Sequence, residues 1–263
     1  TQGVNMLINV FFGVAFNAAR GIAVTVNGAI QGFVGSFSMA FGPQIVKSYA
    51  AGDYEYVRSL NSRGTKCIWF LMCLLAIPII AEADTLLYLW LGDVPDYFSL
   101  FLRLTMIESL AVQSGALLLR IIQADGRMHI YSLRASLVIG LIFPLTWLWL
   151  YLDGPIWCVY IVSSVVFLLI NIVRYISIRA MMPFPIWQHI KECLCPCAVV
   201  TVMSAVGAVA MCNVMEPSVL RFFIAVPSIV LWIVFNIYVF GLSHREREFV
   251  KQKIQGVIIR IKL

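Results

Sequence analysis

Residues 17–50 read NAARGIAVTVNGAIQGFVGSFSMAFGPQIVKSYA, a stretch with no run of charges and one polar stripe. At about 100° per residue, Asn17, Arg20, Asn27, Gln31 and Ser38 fall within roughly 80° of one another, and Ile22, Val26, Ile30, Phe33 and Phe37 lie elsewhere. The neighbouring segments are apolar almost all round, so the inside of the bundle has to be the polar side. That is the pattern of a membrane helix lining a wet cavity.

Composition agrees. The chain is 61% hydrophobic and 12% charged, with a mean hydropathy of +0.91. Soluble globular chains run at about a quarter charged, so an ordinary soluble core is excluded. A bilayer core of about 30 Å takes about 20 helical residues, and the sequence divides accordingly into seven full spans and one partial one. The partial span, Gly3 to Gly13, begins at Thr1 already apolar and reads as a helix cut through its middle. The full spans are Asn17–Ala50, Tyr54–Ala81, Tyr97–Ala124, His129–Leu152, Pro155–Arg179, Ile186–Met211 and Pro217–Leu242. Only the later part of the Tyr54–Ala81 span, CIWFLMCLLAIPIIA, is apolar enough for lipid. Between Glu82 and Asp96, ADTLLYLWLGDVPD is too short to cross and reads as an amphipathic turn anchored by Trp90 at the interface. The tail HREREFVKQKIQGVIIRIKL mixes charge with Phe249, Val250, Ile254 and Ile258, as a surface-lying helix does. Pro78, Pro144 and Pro227 fall within spans and are expected to bend them.

Charge alternates along the loops. Sixteen of the nineteen basic residues flank one set of span ends, and Glu82, Asp84, Asp93, Asp96, Asp153 and Glu216 occupy the other set. Because Lys and Arg are retained on the cytoplasmic side, this places the carboxyl terminus in the cytoplasm. The formal net charge of +6 is therefore topology, and a nucleic-acid partner is not implied. No charged region and no small-residue cleavage site bracket the first apolar run, so the spans themselves are expected to direct insertion.

Catalytic and metal signatures are missing. Cys193, Cys195 and Cys197 lie where a span enters the membrane, and only His189 and Glu192 are near enough in sequence to complete a metal set, so they read as small apolar packing residues. The sequence has no P-loop, HExxH or GxSxG, and His129, His189 and His244 lie at helix ends as interfacial residues. Neither an enzyme nor a resident cofactor is indicated.

The chemistry that remains is polar side chains inside spans. Gln2, Asn5 and Asn9 form a second stripe at i, i+3 and i+7, either interhelical glue worth roughly 1 kcal/mol per amide or part of the cavity. Arg20 is costlier, because a guanidinium within a span needs water, an acid or an anionic ligand, unless it snorkels to the helix end. Arg103 and Glu108 lie roughly 140° apart around one helix and cannot easily pair with each other. Thr105, Ser109, Gln113 and Gln123 share a broad face with Glu108, which can serve as a carrier of a coupling proton or as the partner of a residue on another helix.

Three runs carry a resemblance: Gln2 to Gly13 (QGVNMLINVFFG), Asn17 to Ala23 (NAARGIA) and Pro43 to Asp53 (PQIVKSYAAGD). Together with Trp90-Leu91-Gly92 and Gln123-Ala124-Asp125-Gly126-Arg127, the text resembles the second half of bacterial O-antigen and capsule repeat-unit flippases. These belong to the multidrug/oligosaccharidyl-lipid/polysaccharide exporter superfamily. The specific part covers the first hundred and thirty residues, and the last two spans resemble the family only in pattern. The resemblance implies an all-α polytopic membrane protein with 1–181 as the second six-helix lobe of a two-lobe exporter, its first helix truncated. An additional transmembrane helix pair over 182–242 and a basic amphipathic cytoplasmic tail over 243–263 follow.

It further implies transport of a polyprenyl-pyrophosphate-linked oligosaccharide across the bacterial inner membrane by alternating access, in surface polysaccharide biosynthesis. Implied partners are the lipid-linked oligosaccharide, the lipid bilayer, an amino-terminal lobe of the same protein and a polysaccharide polymerase. By position Arg20 matches an arginine that lines the cationic cavity and receives the pyrophosphate, as a guanidinium can do bidentately. Asn17, Asn27 and Gln31 are expected beside it as sugar-binding amides and Asn5 and Asn9 as further residues of the substrate cavity, with Glu108 and Arg103 as coupling residues for H+ or Na+. Two alternatives stay open: a drug/cation antiporter of the same superfamily, for which Glu108 speaks, and a non-transporting membrane fragment or scaffold.

Overall fold

The computed structural model describes residues 2–93, 95–214, 216, 218–243, 246–248 and 251–252. It is all-α: 88% helical, with no strand among the described residues and seven helical segments long and apolar enough to cross a membrane. With the short apolar helix Gln2–Phe12, the count matches the seven full spans and one partial span read from the sequence.

In chain order the helices are α1 (Gln2–Phe12), α2 (Val14–Ala50), α3 (Tyr54–Ala81), α4 (Ala83–Leu91), α5 (Tyr97–Gln113), α6 (Ala116–Asp125), α7 (Met128–Gly140), α8 (Ile142–Tyr151), α9 (Cys158–Arg179), α10 (Ile186–His189), α11 (Cys195–Val214) and α12 (Val219–Asn236). Wider π-helical turns cover Ile190–Leu194 and Ile237–Gly241. Pairs α5/α6 and α7/α8 each make one span with a break inside it. Pro144 accounts for the second break, because its ring opposes the carbonyl of Gly140 and it has no N–H to continue the ladder. The first has no proline. Gly115 lies so close to α9 that a Cβ there would stand 1.9 Å from Asn171 Oδ1. Asn171 in turn donates to Ser114 Oγ and accepts from Arg174 at 2.9 Å.

Two spans are central. In their most apolar windows, 61% of the α5–α6 span and 56% of α3 are buried, against 17% for α7–α8 and 22% for α2. The outer helices turn Val, Leu, Ile and Phe outward, as lipid-facing surfaces do, and the buried side chains form one main cluster.

Helices α2 and α5 run parallel in constant register. Phe16 stacks on Tyr97 at 4.4 Å, Asn27 meets Ser109 and Gln31 meets Gln113, and beyond the break in that span Tyr49 donates to Asp125 of α6 at 2.6 Å. The turn at Gly13, with φ of +90°, folds α1 back along α2. Arg20 reaches Asn5 in this way, although fifteen residues of continuous helix would separate them by roughly 22 Å.

The last pair is welded to α3 and to the corner where α3 meets α4. Trp69 donates to Thr201 at 2.9 Å, and Gly207 brings α11 so close to α12 that a Cβ would meet Trp232 Nε1 at 2.0 Å. At the acidic end, Arg221 of α12 places Nε 2.9 Å from Glu82 Oε1 and donates from Nη2 to Oε2 at 3.0 Å. Glu82 also accepts from Thr85 at 2.9 Å. Of the tail, Glu246 docks on Lys66 at 3.2 Å. The Phe249, Val250, Ile254 and Ile258 stripe lies outside the described residues, as do His244 and Pro217, the expected start of the last span.

Candidate functional site

Four helices converge on Arg20, which is 7% exposed. Its Nη1 donates to Asn5 Oδ1 of α1, and because Asn5 is exposed, the guanidinium sits one side chain beneath the surface. Glu108 of α5 is within electrostatic reach of Arg20 and beside Ser163 of α9. The Tyr160 hydroxyl, also on α9, turns toward Thr105 and Arg20 without completing a hydrogen bond to either, and Arg20 Nε is buried with its donor unfilled. A buried guanidinium with a spare donor, beside an uncommitted hydroxyl, is equipped to take an oxyanion. One carboxylate already faces the cation.

Below this node the polar stripe closes on itself. Ser109 donates to Asn27 Oδ1 at 2.6 Å, and Gln113 donates to Gln31 Oε1 at 3.1 Å. This differs from the expectation that Asn27 and Gln31 stand free for a sugar. Between apolar helices an unpaired amide is costly, so facing amides pair across the seam. Asn17 is half-buried and Asn9 exposed, and neither makes a side-chain hydrogen bond among the described residues. A cavity of about 1250 Å³ lies elsewhere, at the basic end, and none of the predicted site residues lines it.

Arg103 departs from the coupling expectation. Its Nη2 donates to Asp84 at 2.6 Å and its Nε to the Ile80 carbonyl at 3.1 Å, which ties α5 to the α3–α4 corner and leaves Glu108 without it. His189, expected at an interface, is 4% exposed, packed against Tyr175 and Phe184 and hydrogen-bonded through Nδ1 to Ser62 at 3.1 Å. The expected cysteine packing is visible at Cys193 and Cys197, both buried, whereas Cys195 is exposed.

Two features escaped the sequence reading. Tyr160 sits in the run CVYIV, where an aromatic reads as another apolar side chain. The Glu82–Arg221 pair joins positions 139 residues apart, and its one sequence signal is a lone arginine beside an acidic loop. The three basic residues away from the basic span ends are Arg20, Arg103 and Arg221, and all three are held inside the bundle or at its acidic end by named polar partners.

No family model, no curated protein and no solved structure matches this chain. The class defined by the fold is therefore a multi-pass membrane protein, and the site defines a buried arginine–amide node within it.

Proposed function

We propose that the chain is the second lobe of a carrier that moves a polyprenyl-pyrophosphate-linked oligosaccharide across the bacterial inner membrane, with its carboxyl terminus in the cytoplasm. The observation that carries this reading is Arg20, a cation buried within a span, with an unfilled Nε donor and the Tyr160 hydroxyl beside it. A desolvated pyrophosphate needs fixed positive charge, and a guanidinium supplies it with directed donors. The exposed amides Asn5 and Asn9 continue this polarity onto the surface that an amino-terminal lobe would cover. Glu108 gives the cation a resident countercharge, which the arriving phosphate replaces as the carboxyl takes up a coupling proton.

In the complete protein, Arg20→Ala is expected to abolish surface polysaccharide at unchanged membrane abundance, and Arg20→Lys to restore only part of it. Normal polymer from Arg20→Ala would remove Arg20 from the substrate path. Glu108 also supports the second reading, a drug/cation antiporter. Proteoliposomes loaded with labelled lipid-linked oligosaccharide separate the two, since the antiporter leaves that lipid in its starting leaflet.

A further inference from the structure

At the basic end of the bundle a half-open cavity of about 1250 Å³ lies between α3, the 180–185 loop and the last helix pair. Its walls are of two kinds. Arg58, Arg63, Lys66 and Arg179 supply positive charge in excess of the carboxylates Glu55, Glu192 and Glu246 beside them, while Phe184, Pro185, Pro196, Phe240 and Leu242 supply an apolar side. Both π-helical turns border it, through Glu192 in one and through Phe240 and Gly241 in the other. Such turns break the regular ladder at a cost and gather at functional sites. His189 lines the cavity, 4% exposed, with Nε2 unpartnered.

The cations are differently engaged. Lys66 already holds an oxyanion, the Glu246 carboxylate, at 3.2 Å. Arg58 donates to the Pro183 carbonyl at 2.8 Å, and Arg63 and Arg179 are exposed with no hydrogen bond or ion pair among the described residues. A small soluble anion uses the charged wall and leaves the apolar one bare. A lipid uses both, its phosphate on the arginines and its glycerol and first methylenes against Phe184, Phe240 and Leu242.

We propose that this cavity binds the phosphate headgroup of a membrane lipid, with Arg63 and Arg179 as phosphate donors and the Glu246 carboxylate as an internal competitor for Lys66. The site lies apart from the Arg20 node and does not depend on the transport reading.

The test is native mass spectrometry of the detergent-purified chain titrated with dioleoyl-phosphatidylglycerol, with glycerol 3-phosphate as the free-headgroup arm. The wild-type chain is expected to retain one lipid in preference to glycerol 3-phosphate. The Arg63→Gln/Arg179→Gln double variant removes no hydrogen bond seen among the described residues and should weaken retention about a hundredfold, about tenfold for each lost charge-assisted contact. Glu246→Gln should tighten retention about two- to fivefold, the worth of a partly exposed ion pair. Arg134→Gln, an exposed cation that does not line the cavity, should change nothing. Equal retention by wild type and the double variant overturns the proposal, as does an equal loss in Arg134→Gln. Equal binding of glycerol 3-phosphate overturns its lipid part.

Discussion

At the scale of single residues, Arg20 and Glu108 depend on each other. Removing the guanidinium leaves a carboxylate inside the bundle without its countercharge, which costs about 1–3 kcal/mol. Arg20→Ala is therefore expected to lower the melting temperature of the detergent-solubilised protein, and adding Glu108→Gln to recover part of that loss. On the proposed carrier reading, transport should not recover with it, because a phosphate substrate would still lack its cation. Recovery of both would mean that Arg20 serves only the fold. A second residue-level expectation concerns Glu246. Burial pushes its carboxyl up, but the Ser243 amide and hydroxyl and the Lys66 ammonium outweigh that and hold it below the usual carboxylate range. The stabilisation is thus complete above the unfolded value of about 4.3 and is lost as pH falls through the lower folded value. Melting curves between about pH 6 and 3 should show an acid-side loss that Glu246→Gln removes.

At the scale of elements, the break between α5 and α6 is held by close approach. A Cβ on Gly115 would also stand 2.5 Å from an Arg174 Nη1 that is already committed to Asn171. Gly115→Ala should cost about 1–3 kcal/mol through overpacking, measurable by thermal unfolding. The Glu82–Arg221 pair is more exacting: Glu82 is 1% exposed, and removing one partner of such a pair costs about 3–5 kcal/mol. Arg221→Ala should therefore raise protease sensitivity between α11 and α12, and Arg221→Lys should rescue it poorly, since two guanidinium nitrogens face two carboxylate oxygens.

The two breaks also mark how far the sequence can be read. Pro144 announces its break locally, by ring and missing N–H. Gly115 gives no such notice, because its break is made by Asn171 and Arg174, more than fifty residues away along the chain. Likewise the polar stripe of α2 was legible as a face from its spacing alone. What that face meets was not legible: Ser109 and Gln113 close it below Arg20, and only the packed bundle decides that.

At the scale of the whole molecule, the alternation of charge was readable because every span must return the chain to one of two sides. The contacts respect that division: Tyr49 with Asp125 and Lys66 with Glu246 at one end, Glu82 with Arg221 and Arg103 with Asp84 at the other. Alkaline phosphatase, active only outside the cytoplasm, should be active when fused after Asp153 and inactive when fused after Arg127. The reverse pattern would invert the assigned orientation. The cavity at the basic end had no counterpart in the sequence reading, since α3 and the segments that close the cavity against it lie more than a hundred residues apart.

The Glu82–Arg221 pair also bears on how such a molecule can move. Because α12 is pinned to the corner where α3 ends and α4 begins, and α11 lies flush against both, the final two helices cannot hinge separately. They must move as one body with α3 and α4. On the proposed carrier reading, a spin-label pair spanning α3 and α12 should then report one distance in every state of a transport cycle, while labels placed across to an opposing lobe report several.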